Sequence, residues 1–142
     1  MFDTLYAQIG LALTVVVVAF ALLKGDQPER VGAAAYALGL FASVVVQDDR
    51  HLTGPRWGLM AIDVAMLAIY VALAWKSRRA WPVWAGALQT LIVMIHILTL
   101  IDARPPLRAF YAVMNLASLG ILLATAAGTV RAWRDRRAAG LE

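Results

Sequence analysis

Asp63 and His96 are the two residues whose types and setting could do chemistry in this chain. Each interrupts a long apolar run, WGLMAIDVAMLAIYVALAW around the first and WPVWAGALQTLIVMIHILTLID around the second. A carboxylate and an imidazole in an apolar medium both lack the water that would solvate their charge, so each is best satisfied by the other. Such a pair can relay a proton or hold a small polar ligand. It can equally be interhelical glue, at about 0.6–2 kcal/mol per contact. Gln89 precedes His96 by seven residues and Thr99 follows it by three, which places all three on one face of a helix. Asn115 in the last apolar run and Gln8 in the first complete the set of candidates.

Depth connects them. At ~1.5 Å per residue, Asp63 lies roughly 9 Å below the start of its run, and His96 lies about as far below Asp102 on a run of opposite direction. Asn115 is about 12 Å in from Leu107, and Gln8 is shallower. An antiparallel arrangement therefore brings Asp63, His96 and Asn115 to comparable levels near one side of a membrane.

The elements that must position these residues are apolar helices. The chain has 142 residues, 62% of them hydrophobic and 15% charged, against roughly 45–50% and about 25% in soluble domains. Five apolar runs can be marked, over 5–23, 31–47, 57–75, 82–101 and 107–130, each bounded by charge, proline or glycine. Each can cross or nearly cross a hydrocarbon core of about 30 Å, the second being the shortest. The expected fold is all-α, a polytopic membrane bundle of five transmembrane helices with short loops, in a single domain. Dyad alternation of the kind a membrane β-barrel requires is absent.

The net charge of +4 would suit nucleic acid, but the basic residues sit at the ends of the apolar runs, where they act as topology signals. Lys24, Arg30, Lys76, Arg78, Arg79, Arg131, Arg134, Arg136 and Arg137 fall on one side, and Arg50, Arg56, Arg104 and Arg108 on the other. Nine against four predicts an amino terminus outside and a carboxyl terminus in the cytoplasm. Residues 131–142, RAWRDRRAAGLE, read as a basic cytoplasmic tail drawn to anionic headgroups. Trp75, Trp81, Trp84 and Trp133 are expected as aromatic anchors near the inner interface. MFDTLYAQIG has no Lys or Arg before the first run, so a cleaved signal peptide is not expected.

Weaker signals remain. Asp48, Asp49 and His51, with Asp102 from the next outer loop, are oxygen and nitrogen donors of a kind that binds a divalent cation, although such loops are commonly just hydrated. Ala35, Gly39 and Ser43 recur every four residues, as do Ala61 with Ala65 and Ala68 with Ala72, a pattern of close helix approach expected mainly within the chain. Asn115, Ser118, Thr125 and Thr129 lie near one stripe, with hydroxyls placed to bond their own helix.

There is no cysteine, and no phosphate-cradling glycine loop, HExxH or GxSxG motif. The sequence leans away from an enzyme without excluding one, a membrane enzyme being the third reading since no nucleophile or metal set is evident, and no cofactor is expected. The leading expectation is an accessory or assembly subunit of a bacterial inner membrane, bacterial by its Ala- and Arg-rich composition. Its partners would be the lipid bilayer and either further copies of itself or a larger membrane complex, with no nucleic acid. The alternative is a small-solute or proton-coupled carrier or channel using the outer-half polar pocket.

Overall fold

The computed structural model describes residues 5–46, 56–101 and 107–141. Among these are five α-helices and no strand: α1 (Leu5–Lys24), α2 (Gln27–Val46), α3 (Trp57–Ser77), α4 (Ala80–Ile101) and α5 (Leu107–Ala138). Helices α2 to α5 are long and apolar enough to cross a membrane, and α1 adds a shorter apolar stretch over Gln8–Lys24. The helical choice follows from the solvent. Hydrocarbon offers backbone N–H and C=O groups no partners, so each must be satisfied within its own segment.

The helix ends have local causes. Gly25 closes α1, its N–H donating to Ala21 O at 2.8 Å, and a side chain there would overlap the Ala21 carbonyl and the Glu29 Cβ. Helix α2 starts at Gln27, earlier than the apolar pattern implies, because Asp-Gln-Pro-Glu is a capping sequence. The Glu29 carboxylate reaches back to the Asp26 N–H at 3.1 Å, and Pro28 occupies the first turn, where its missing N–H costs nothing. The second run thus gains the length it lacked. At the far end of α5, Gly140 at φ 71° and the bonds Leu141 N–H to Arg136 O and Gly140 N–H to Arg137 O form a Schellman stop. Most of the basic stretch after residue 130 is therefore a continuation of α5, which reaches about 48 Å at ~1.5 Å per residue.

Each helix packs on its sequence neighbours and α5 returns to α1, so the five close into a ring, with α2 also touching α5. Met66, Tyr70, Trp81, Ala85, Ile92, Ala117 and Ile121 form the core. Trp81 is not an interfacial anchor. It is buried, edge-to-face with Tyr70 at 6.4 Å, and it fills the space left by Gly32 on α2 and Gly128 on α5. Trp75 and Trp84, in contrast, stand out from the bundle at 86% and 67% exposure.

Two glycines test this packing. A Cβ at Gly128 would overlap the Trp81 indole, whereas Gly10 has open space around it. Gly128→Val is expected to destabilise the bundle by about 1–3 kcal/mol while Gly10→Ala leaves it unchanged or slightly firmer, read from unfolding curves in detergent.

Candidate functional site

Helices α3 and α4 run antiparallel across a short turn, and that geometry alone sets Asp63 level with His96. His96 Nε2 lies 2.8 Å from Asp63 Oδ2. The bond requires one proton between the two atoms, carried either by the imidazole or by the carboxyl. Gln89, about two turns along the same face of α4, donates to Asp63 Oδ1 at 2.9 Å and to the Asp63 backbone carbonyl at 3.1 Å. Both carboxylate oxygens are thus satisfied, and the amide and the imidazole together fix the side chain of Asp63. His96 is 9% exposed and Asp63 22%, so the carboxylate is the reachable member. The Thr99 hydroxyl donates to the His96 carbonyl at 2.6 Å and takes no part in the pair.

The structure brings together three of the five predicted polar residues. Asn115 and Gln8 are exposed on the outside of the bundle. Asn115 shares the depth of the pair but sits at the edge of its stripe, and α5 turns Thr125 and Thr129 inward instead. Those two hydroxyls donate to their own helix, to Ile121 O at 2.9 Å and Thr125 O at 2.8 Å. The candidate metal ligands Asp48, Asp49, His51 and Asp102 lie outside the described residues, among which no cluster of three metal-binding side chains occurs.

A second polar cluster, at the opposite and more basic end, is invisible to the span-by-span reading. Glu29 is completely buried. Its Oε1 accepts from Arg79 Nη1 at 2.9 Å and from Trp81 Nε1 at 2.6 Å. Asp26 accepts from Arg79 Nη2 at 2.6 Å through Oδ2, and from Arg136 Nη1 through Oδ1. Arg136 also donates to the Lys24 carbonyl at 2.6 Å, capping the end of α1. Every segment of the bundle meets here: α1 through a carbonyl, α2 through two acids, the α3–α4 turn through Arg79, α4 through Trp81 and α5 through Arg136. The capping pattern at Asp26 and Glu29 was the available signal, since it puts both acids at a helix start rather than in a loop.

No family model, no curated protein and no solved structure matches the chain. The class that fold and geometry define is a small multi-pass helical membrane protein, with a carboxylate–imidazole–amide clasp near one end and an acid–arginine knot at the other.

Asp26 lies outside the spans and has a pH dependence of fixed sign. Burial works to raise its pKa, but the hydrogen bonds and charges of Arg79 and Arg136 outweigh it and hold the carboxyl below its ordinary 3.8. A folded value below the unfolded one gives stability that is full above the unfolded value and lost as pH falls through the folded one. The melting temperature of the native protein should exceed that of Asp26→Asn near neutral pH, and the difference should close as pH drops below 3.8.

Proposed function

We propose that the chain is a non-enzymatic accessory or assembly subunit of a bacterial cytoplasmic membrane, with its amino terminus outside and its carboxyl terminus in the cytoplasm. The basic excess at the end holding the α1–α2 and α3–α4 turns supports that orientation. One observation carries the accessory reading. Ala61, Ala65, Ala68 and Ala72 are all exposed on α3. At ~100° per residue they fall within an arc of roughly 60° on the side of α3 turned away from the core. Their 4, 3, 4 spacing is that of a coiled-coil seam, and small side chains let a partner backbone approach closely. Trp57 and Trp75 flank this seam on the same face, about 27 Å apart along the helix at ~1.5 Å per residue, close to the thickness of the hydrocarbon. Within the chain α3 packs through Ile62, Met66, Tyr70 and Leu73, which leaves the alanines for a partner helix in a second copy or a larger complex.

The absence of cysteine makes the test clean. A single cysteine at Ala68 should give a crosslinked species in native membranes, whereas one at Leu116, 67% exposed on α5, should not. Equal yields from the two positions would remove the case for packing through α3, and the size of the adduct separates a second copy from a different protein.

A carrier or channel is the second reading, favoured by the partly exposed Asp63 carboxylate against His96. In proteoliposomes, Asp63→Asn should abolish pH-driven solute or proton uptake while insertion stays normal. Uptake at the native rate in that variant would dismiss Asp63 as a carrier residue.

A further inference from the structure

Next to the alanine seam, on the side of α3 that turns towards α4, the bundle surface is indented by an apolar groove of about 410 Å³. Leu67, Val71 and Trp75 form one wall, and Val83, Ala87 and Thr90 the other. The Thr90 hydroxyl is spent on the Gly86 carbonyl at 2.9 Å, so the groove offers no free polar group at its inner limit. From Trp75 to Leu67 it runs roughly 12 Å at ~1.5 Å per residue, most of the depth of one leaflet of a ~30 Å core.

The end of the groove at the α3–α4 turn has a different chemistry. Arg78 is exposed there and forms no ion pair among the described residues, whereas its neighbour Arg79 is committed to Asp26 and Glu29. Arg78 holds a left-handed backbone at φ 52° as the cap of α3, a position where glycine or asparagine is the usual occupant. A strained conformation retained by a charged residue is a reason to look for what the charge does. Trp75 and Trp84 project at this level, where indoles sit among headgroups.

We propose that this groove is a binding site for an anionic phospholipid, with an acyl chain lying between α3 and α4 and the headgroup phosphate on Arg78. The charge decides the occupant. An apolar groove by itself accepts any chain, but an uncommitted cation at its mouth selects a negative headgroup over a zwitterionic one. The site is separate from the Ala61–Ala72 seam and does not depend on the accessory reading.

The test is native mass spectrometry of the detergent-purified protein after exposure to phosphatidylglycerol or phosphatidylcholine. Phosphatidylglycerol should stay bound and phosphatidylcholine should not, and glycerol phosphate, which has no acyl chain, should fail to compete. Arg78→Gln should weaken retention about fivefold. Ala87→Phe, which fills the groove from an exposed position, should release the lipid with helicity intact by circular dichroism. Equal retention of both lipids, competition by glycerol phosphate, or native-level binding in both variants would overturn the proposal. So would a cysteine at Ala87 that crosslinks to a protein helix, since the groove would then be a protein contact.

Discussion

The bundle depends on the burial of one carboxylate. Glu29 is sealed from solvent, with Arg79 and Trp81 on one oxygen and the start of its own helix on the other. A buried charge pair gives little net stability compared with an apolar replacement, yet removing one partner from such a pair costs about 3–5 kcal/mol. Its value is therefore in specification. Glu29 fixes where α2 begins, the rotation of Trp81 and the conformation of the α3–α4 turn. Asp26 extends the same constraint to α5 through Arg136, and Arg136 extends it to α1. Apolar helices can pack in many registers, since lipid and leucine are nearly equivalent neighbours. A polar knot admits one.

The two polar clusters have different characters. The one at the basic end joins all five segments and is anchored by fixed positive charges. The Asp63–His96–Gln89 clasp joins only α3 and α4, with no arginine or lysine among its members. Between them lies an apolar core in which the Tyr70 hydroxyl is buried without a partner among the described residues.

Much of this was legible in the chain. Apolar runs bounded by charge and proline gave the number and approximate limits of the helices, because hydrocarbon leaves the backbone no other choice. Short connections made the helices antiparallel, and counting residues from the boundaries set Asp63 beside His96. Rotation was not legible. Asn115 has the right depth and faces outward, and the alanines of α3 have the spacing of an internal contact and face away from the core. One span shows which residues share a face, but the choice of neighbour belongs to the whole ring. Charge near a helix end was also ambiguous. Glu29 and Arg79 look like solvated loop residues until the capping pattern and the distant Arg136 are placed together, and Trp81 looks like an interface anchor until two glycines on other helices make room for it.

The order of the knot's members along the chain bears on biosynthesis. The acids come early, at positions 26 and 29, whereas their basic partners follow 50 and 110 residues later. While the first hairpin of the nascent chain is entering the membrane, neither Arg79 nor Arg136, the partners its two carboxylates have in the finished bundle, has followed it. Arg79 draws in Glu29 once the second hairpin arrives, and Arg136 locks Asp26 and the end of α1 only when the last helix is in place. Closure of the ring thus reports that the chain has been made through to α5. A product cut short before Arg136 would keep Asp26 without one of its two arginines and α1 without its cap.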